Sequence, residues 1–141
     1  MASDNKQTKL DYRYLRMAKI WAENSYCQRR QVGALVVKNK MIISDGYNGT
    51  PSGFENICED NNNITKPYVL HAEANAISKL AKGTNHADGA TLYVTDAPCL
   101  ECSKMIIQCG IRRVVYSREY HTNAGTELVK RAGIIVEQIS I

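Results

Sequence analysis

The stretch "ATLYVTDAPCLECSKMIIQCGIRRVVYS", residues 90–117, combines two kinds of pattern. Residues 90–95 and 112–117 are short runs rich in β-branched and aromatic residues, which predict two strands. The segment between them, residues 99–109, predicts a helix, and Pro98 suits its first position. A strand, a helix and a second strand in this order predict a parallel βαβ unit.

Upstream of this unit the sequence predicts a helix, a hairpin and a loop. Residues 32–37 and 41–44 are β-branched runs, and the short link "KNK" between them predicts an antiparallel hairpin. Residues 46–66 are rich in Gly, Pro, Asn and Asp, which predicts a loop. The segment from about residue 10 to residue 27 predicts an amphipathic helix. Its apolar stripe consists of Leu10, Tyr14, Met17, Ala18 and Trp21.

The other segments continue the alternation of helices and strands. Residues 71–82 predict a helix that ends at Gly83 as a C-cap. Residues 124–132 predict a short helix, and residues 134–139 predict the last strand. Together these segments predict an α/β fold with three layers, in which a five-stranded mixed sheet lies between helices.

The composition fits one domain over residues 1–141, with residues 1–8 frayed. No apolar run reaches the ~20 residues of a membrane span, and the N-terminus lacks the apolar core of a secretory signal. We therefore expect a cytoplasmic protein without a membrane partner, whose five cysteines are reduced. The net charge of +4 suits a phosphorylated ligand and does not require a nucleic acid.

Three residues have the spacing of a metal site. Cys99 and Cys102 form C-x-x-C at the start of a predicted helix, where residues three apart share a face. His71 begins the preceding predicted helix, and successive parallel helices begin side by side at the carboxyl edge of the sheet. We predict that His71, Cys99 and Cys102 bind one Zn²⁺. A redox pair or two half-buried thiols are the alternatives for C-x-x-C alone.

The other cysteines and histidines have simpler predicted roles. Cys109 lies roughly 10 Å along the helix axis from Cys102, too far for one zinc ion to bind both, so packing is predicted. Cys27 is predicted to cover the apolar face of the first helix. Cys58 lies in the loop, where a role as a ligand at a second metal site is the alternative. Two histidines are predicted to face solvent, His86 and His121.

Glu73 lies two residues after His71 and therefore does not share its helix face. We predict that Glu73 faces the metal without binding it, where a carboxylate can take a proton from activated water. For His-x-Glu alone, a surface pair in the first turn of a helix is the alternative. Together with P-C-x-x-C, however, it forms H-x-E…P-C-x-x-C, the signature of zinc nucleobase deaminases.

Longer motifs make the resemblance more specific. The chain resembles the cytidine deaminase superfamily and, from about residue 10 to the end, the deoxycytidylate deaminase branch of it. The motifs that carry this likeness are "RRQVGALVV" (29–37), "GYNGTPSG" (46–53), "HAEANAI" (71–77), "PCLEC" (98–102) and "IIQCGIRRVVY" (106–116). The segment "TDAPC" departs from the branch, because Asp96 and Ala97 stand where an apolar residue and then Ser or Glu are more common.

The resemblance implies hydrolytic deamination of dCMP to dUMP and ammonia, which feeds dTMP synthesis. It implies that Glu73 takes a proton from water activated at zinc, then protonates ring nitrogen 3 and the leaving amine. It also implies that Asn48 contacts the deoxyribose or the base, and that the backbone near Ala72 contacts the amine edge of the base. Tyr120 either lines the pocket or packs in the interior.

The resemblance further implies regulation and assembly. Deoxycytidylate deaminases are commonly homohexamers that dCTP activates and dTTP inhibits, with Mg²⁺ accompanying the nucleotide effector. Because the fold uses nearly all 141 residues, an effector site must be built from loops. The loop that begins with Gly46, Tyr47, Asn48 and Gly49 is the candidate, since glycines let backbone N–H groups approach an anion.

The phosphate-binding residue stays open at the level of sequence. A 5′-phosphate needs a cation or free N–H groups, and four basic residues lie in segments that could reach the pocket. The sequence does not choose among Arg29, Arg30, Lys66 and Arg118.

Two other functions are compatible with the zinc motif. A tRNA adenosine deaminase uses the same zinc and glutamate, but favours a broad basic surface and a basic C-terminal helix. A non-catalytic module stabilised by zinc needs a fourth protein ligand and has no use for Glu73.

Overall fold

A computed structural model describes residues 2–141, with side chains from Lys6 onward. Helices and strands alternate after an initial helix and a hairpin, as the sequence predicts. In chain order the elements are α1 (Ala2–Ala22), β1 (Gly33–Lys38), β2 (Met41–Tyr47), α2 (Ala72–Leu80), β3 (Thr91–Asp96), α3 (Leu100–Gln108), β4 (Arg113–Arg118), α4 (Ala124–Arg131) and β5 (Ile135–Gln138).

The five strands form one mixed sheet in the order β2-β1-β3-β4-β5. β1 pairs antiparallel with β2 and β3, whereas β3, β4 and β5 are parallel. Asn39 and Lys40 join β1 to β2 with φ angles of 52° and 62°, as a two-residue hairpin turn of type I′ requires. The predicted hairpin and the predicted mixed sheet are both confirmed.

Alternating side chains of the central strands divide the core into two clusters, one on each face of the sheet. α1 covers the face that carries Leu35, Tyr93 and Val115. The opposite face carries Val36 and Leu92, and helices α2, α3 and α4 cover it. The predicted three-layer arrangement is therefore confirmed, with a single helix on one side and three on the other.

The buried face of α1 differs from the predicted stripe. Its buried residues are Asp11, Leu15, Ala18 and Ala22, whereas Met17 and Trp21 of the predicted stripe are 45% and 40% exposed. The predicted stripe is confirmed at Ala18 and at Tyr14, which packs against the core, but it is wrong at Met17 and Trp21. Asp11 enters the core with partners from other elements. Its carboxylate accepts hydrogen bonds from the Tyr93 hydroxyl at 2.6 Å and from the Arg113 guanidinium at 2.8 and 2.5 Å.

Several predicted boundaries are also wrong. The initial helix spans residues 2–22 instead of 10–27; Met1 lies outside the described residues, and the fraying of residues 1–8 stays a prediction. β2 continues to Tyr47, into the segment predicted as loop. α2 ends with Ala81 as its C-cap, not Gly83. The helix-ending glycines are Gly110 and Gly133, with φ angles of 88° and 85°.

Cys27 and Cys58 form a disulfide bond. The predictions that all cysteines are reduced and that Cys27 packs on the first helix are therefore wrong. The chain turns away from α1 after Ala22 and runs beside the 46–66 segment. The Ser25 hydroxyl donates to the Asn48 carbonyl at 2.8 Å and accepts from the Cys27 N–H at 3.2 Å. A pairing between such distant segments cannot be deduced from cysteine spacing.

None of the helices described between residues 2 and 141 has the length and the apolar character required to cross a membrane.

We predict that reduction of the disulfide lowers the free energy of unfolding. The bond joins residues 31 positions apart. Closing a loop of that length lowers the entropy of the unfolded chain and so raises its free energy by about 3–4 kcal/mol. Urea denaturation of the wild type with and without a phosphine reductant measures the effect. The double variant Cys27→Ser/Cys58→Ser is the control and should not respond to reductant. If the wild type has the same urea midpoint with and without the reductant, the Cys27–Cys58 disulfide bond is not present.

Candidate active site

His71 and Cys99 hold equivalent positions, each preceding the first turn of a helix. Both have extended backbone, with φ −73° and ψ 158° at His71 and φ −74° and ψ 173° at Cys99. The Cys99 Sγ accepts a hydrogen bond from the backbone N–H of Cys102 at 3.4 Å, as the side chain of an N-cap does. The helices predicted to begin at residues 71 and 99 therefore begin one residue later, because both residues are caps.

The side chains of His71, Cys99 and Cys102 converge. The His71 Nδ1 lies 3.4 Å from the Cys99 Sγ and 3.4 Å from the Cys102 Sγ. Ligand atoms of all three lie within 4.8 Å of one another, and no other such group of candidate ligands occurs in the described part of the chain. The hydrogen bond with the Cys102 side chain lowers the pKa of Cys99 to about 4, which favours the thiolate that metals bind.

This donor set fits zinc. One imidazole nitrogen and two thiolate sulfurs are preferred zinc ligands, and three protein ligands is the number found in catalytic zinc sites. Cys109 is not part of the group. Its thiol donates to the Ile106 carbonyl at 3.4 Å and packs against the core, which confirms the prediction of a packing role.

Glu73 lies in the first turn of α2 and is only 4% exposed. Burial raises the pKa of Glu73 to about 7, and the nearby charge of His71 acts in the opposite direction. A metal cation held by the neighbouring residues would also favour the ionised carboxylate. Glu73 lines the same cleft as His71 and Cys99. Glu73 therefore lies beside the candidate ligands without belonging to their group, and its role in proton transfer stays a prediction.

A cleft of about 460 Å³ opens in front of these residues, within the usual size range of small-molecule sites. It contains all three residues predicted to bind substrate, Asn48, Ala72 and Tyr120.

The Tyr120 ring also stacks on His121, with centroids 4.1 Å apart. His121 is exposed as predicted, but sequence analysis missed that it lines the cleft. His86 is exposed and lies against Lys38, away from the cleft.

Asn48 is held by the chain that precedes β1. Its Nδ2 donates to the Arg30 carbonyl at 2.8 Å, and its Oδ1 accepts from the Val32 N–H at 2.9 Å. The backbone N–H of Asn48 also donates to the Val32 carbonyl at 3.2 Å. Its side-chain amide therefore retains one N–H and one oxygen lone pair for a ligand.

The predicted effector loop separates the catalytic cleft from a second one. Tyr47 and Gly49 line this second cleft, which has a volume of about 660 Å³ and also contains Lys79 and Lys82. Asn48 faces the catalytic cleft instead. Gly46 lines neither cleft, because it is buried in β2 beneath α2.

A buried acidic residue joins two of the four candidate phosphate ligands. Asp96, at the end of β3, is 5% exposed. Its carboxylate contacts the Nε of Arg30 and, at 2.6 Å, the Nε of Arg118. Arg29 and Arg30 line the catalytic cleft, whereas Lys66 pairs with Glu55 outside it. The departure of "TDAPC" from the family pattern was the sequence signal for this cluster.

Two glycines allow the backbone to approach the ligand-bearing segments closely. A Cβ atom on Gly46 would lie 2.5 Å from the Ala72 carbonyl oxygen and 2.7 Å from the Ala76 nitrogen. A Cβ atom on Gly125, in α4, would collide with the Pro98 carbonyl oxygen and lie 2.8 Å from the Cys99 carbonyl carbon. Sequence analysis named Gly46 only as part of the effector loop and missed the packing role of both glycines. Each glycine thus lets a neighbouring element support one side of the ligand group.

Comparison with known proteins places this site in a family. A sequence profile described as the cytidine and deoxycytidylate deaminase zinc-binding region matches residues 8–118. The chain belongs to this family. This deaminase is 36% identical over 132 residues to ComE operon protein 2 of Bacillus subtilis, a match that covers 91% of this chain and 70% of that protein.

Two further relatives carry a deoxycytidylate deaminase name. That of Saccharomyces cerevisiae is 36% identical over 140 residues, which cover 92% of this chain and 45% of the yeast protein. The dCMP deaminase of cyanophage S-TIM5, solved in complex with dCMP and dUMP, has a TM-score of 0.91 and 43% identity. That match covers 93% of this deaminase and 97% of the phage chain. The likeness confirms the predicted cytidine-deaminase-like fold.

We predict that Cys102→Ser removes zinc from this deaminase, whereas Cys109→Ser does not. Both thiols are in or next to α3, but only Cys102 belongs to the ligand group. Metal binding contributes to folding, so Cys102→Ser should also lower the thermal midpoint. Atomic emission analysis of purified protein measures zinc per chain. Full zinc content in Cys102→Ser would exclude this residue as a ligand.

Proposed function

We propose that this protein catalyses the hydrolytic deamination of dCMP to dUMP and ammonia, which feeds dTMP synthesis. The observation that carries the proposal is the buried Glu73 beside the convergent His71, Cys99 and Cys102 in a cleft of small-molecule size. The names of the yeast and phage relatives, and the nucleotides bound to the phage enzyme, favour dCMP as the substrate.

Zinc and Glu73 divide the chemistry between them. A zinc ion held by His71, Cys99 and Cys102 would lower the pKa of a water molecule. The Glu73 carboxylate accepts the proton of the attacking water at one of its Oε atoms. The resulting carboxylic acid protonates ring nitrogen 3 of the cytosine as the water oxygen bonds to carbon 4. The regenerated Glu73 carboxylate then takes the second proton of that oxygen and delivers it to the amine, so that the carbon–nitrogen bond breaks and ammonia leaves. Burial of Glu73 keeps bulk water away from the carried proton.

Three residues orient the substrate in this proposal. The remaining N–H of Asn48 contacts the deoxyribose or the base, and the backbone at Ala72 contacts the amine edge. The Tyr120 ring forms a wall of the cleft. The N–H groups at the start of α3, including that of Cys99, stabilise the charge that develops during attack.

Two alternatives make different demands. A non-catalytic zinc module has no use for a carboxyl group that is costly to bury. A tRNA adenosine deaminase would act on an anticodon loop and leave dCMP unchanged.

We predict that Glu73→Gln retains zinc and fold but loses turnover. The amide has the shape of the carboxyl group but cannot carry a proton, and general acid–base catalysis typically contributes ~10²–10⁴-fold. The assay follows ammonia release from dCMP, dCTP, cytidine, cytosine and a tRNA anticodon loop. Wild-type activity confined to the anticodon loop would support the tRNA enzyme. A loss of less than about tenfold in Glu73→Gln, with zinc intact, would exclude Glu73 as the proton carrier.

We further propose that dCTP activates and dTTP inhibits the enzyme, with Mg²⁺ accompanying the nucleotide, through the second cleft. Lys82 supplies positive charge there, whereas Lys79 is paired with Asp45 at 2.8 Å. The Asn75 amide of α2 donates to the Tyr47 carbonyl at 3.0 Å, which links this cleft to the helix that carries Glu73. An effector that binds one arrangement of the 46–53 loop better than another would shift substrate affinity.

The resemblance to deoxycytidylate deaminases leads us to propose that residues 1–141 act as one domain within a cytoplasmic homohexamer. Large apolar side chains are exposed on α1 and on the 46–66 segment, Ile20 at 61% and Ile57 at 58%. Such side chains are candidates for subunit contacts.

We predict that dTTP with Mg²⁺ weakens dCMP binding to Glu73→Gln, and that Lys82→Gln in that background removes the effect. The matched control is Lys104→Gln, because Lys104 is an exposed lysine of α3 paired with Glu101. Calorimetry measures both affinities, and linkage requires dCMP to weaken dTTP binding by the same factor. A light-scattering mass gives the oligomeric state. If the affinity for dCMP is the same with and without dTTP or dCTP, this regulation is excluded.

A further inference from the structure

The disulfide bond between Cys27 and Cys58 lies between the two clefts described above. Cys27 lines the catalytic cleft, and Cys58 lines the second cleft. The bond joins the chain before β1 to residues 50–69, which we call the wall segment. Three residues of the wall segment line the catalytic cleft: Glu59, Thr65 and Val69. The bond therefore ties one wall of the catalytic cleft to another.

The wall segment has little attachment to the core of the protein. Cys58 is the only buried residue among residues 50–69, all of which the structure describes. No residue of the wall segment is part of either core cluster, and the side chains of Phe54 and Ile57 are exposed. Segments with so few buried apolar contacts belong to the least stable parts of a fold. The wall segment therefore needs another attachment to hold one position.

Hydrogen bonds attach the wall segment at one end and at one side chain. Next to its end, Leu70 and Gly49 exchange two backbone hydrogen bonds at 2.8 and 3.1 Å. The Glu59 carboxylate accepts the backbone N–H groups of Gln28 and Arg29 at 3.1 and 3.2 Å. Within the described part of the chain, the other hydrogen bonds of the wall segment lie inside it. Opening of the disulfide would thus leave one partly exposed carboxylate to hold the middle of the segment.

The bond is open to attack from the Cys27 side. Cys58 is 0% exposed, whereas Cys27 is 5% exposed and lines both the catalytic cleft and an adjoining cleft on the α1 side. Local opening of a weakly attached segment exposes the bond further. In a reducing compartment, such as the one proposed above for this enzyme, disulfides are usually transient and either catalytic or redox-sensing. Nothing in the proposed deamination uses a disulfide, which leaves the sensing role.

We propose that Cys27–Cys58 is a thiol–disulfide exchange site, at which a protein dithiol of the C-x-x-C type lowers the affinity of the catalytic cleft for its nucleotide. This inference rests on the proposed function and adds a regulation of the same site. With the bond closed, the wall segment is held beside the substrate. With the bond open, substrate binding must first order the wall segment, and this ordering cost weakens binding.

The exchange consumes one dithiol for each bond. One thiolate of the dithiol attacks the Cys27 Sγ, the bond between the two cysteines breaks, and Cys58 leaves as a thiolate that takes up a proton. The second thiolate then attacks the dithiol's own sulfur in the mixed disulfide, and Cys27 leaves in the same way. The enzyme gains two electrons and two protons, and the dithiol becomes a disulfide.

A purely structural bond is the competing explanation. In that case, opening of the bond lowers the stability of the whole protein, and the part of the enzyme that stays folded binds its substrate as before. The two explanations differ in the KM of folded enzyme and in the region of the chain that becomes more mobile.

The test compares the closed and open forms of the folded wild-type enzyme. Reduced thioredoxin opens the bond, oxidised glutathione closes it, and alkylation followed by mass spectrometry gives the fraction that is open. Opening should raise the KM for dCMP about 5- to 20-fold, with little change in kcat. Closing should restore the original KM. Zinc per chain should stay constant, because the candidate ligands lie on α2 and α3.

Two variants are matched controls for this comparison. Cys27→Ser/Cys58→Ser should have the KM of the open wild type and should not respond to thioredoxin. Cys109→Ser removes a cysteine that is free in the structure and lies outside the bond, so it should respond as the wild type does. If the double variant does not fold, the two forms of the wild type still decide the question.

Hydrogen exchange makes the test independent of turnover. Opening should speed the exchange of hydrogen-bonded amides in the wall segment, such as that of Lys66, whose N–H donates to the Cys58 carbonyl at 2.7 Å. The amides of β3 and β4 should keep their rates.

Three results would overturn the proposal: a bond that thioredoxin does not open in folded enzyme, an unchanged KM in enzyme whose bond is open, and faster exchange throughout the protein. A wild-type enzyme that does not deaminate dCMP would instead refute the proposed function. Hydrogen exchange would then still show whether the bond holds the wall segment.

Discussion

The candidate site depends on two helices that begin at the same edge of the sheet. α2 and α3 both follow strands that point in one direction and cover one face, so their first residues meet. His71 and Cys99 are the caps of these helices, and Cys102 lies one turn further along α3. A metal site needs its ligand atoms within a few ångströms of one point. Here the backbone geometry of two caps meets that requirement.

Close packing fixes the separation of these two helices. α2 rests on β2 at Gly46, and the start of α4 rests on the Pro98–Cys99 peptide at Gly125, where no side chain fits between the backbones. Protein interiors deform little under strain. The contacts therefore hold His71 on one side and Cys99 on the other, although neither glycine contacts a ligand.

Polar groups at the cleft are held by partners from distant parts of the chain. Asn48 bonds the segment before β1 from one side, and Asp96 holds the Arg30 side chain of that segment from another. Glu73 differs from them, because burial raises its pKa to about 7. A fixed scaffold around one proton-carrying group suits general acid–base catalysis, in which position and pKa must both be set.

Sequence alone determined the order of helices and strands, the mixed sheet and the three residues that converge, because these follow from periodicity, from turn residues and from a short motif. Glu73 could be found for the same reason, since its role is tied to its spacing from His71. Tertiary structure alone decided the Cys27–Cys58 bond, the burial of Asp11, the cluster around Asp96 and the place of His121 in the cleft. In the first three of these cases a polar or reactive side chain depends on a partner tens of residues away. Local sequence patterns report the secondary-structure preferences of neighbouring residues. The free-energy cost of burying a polar group depends instead on hydrogen-bond partners, and only the fold brings those partners within reach.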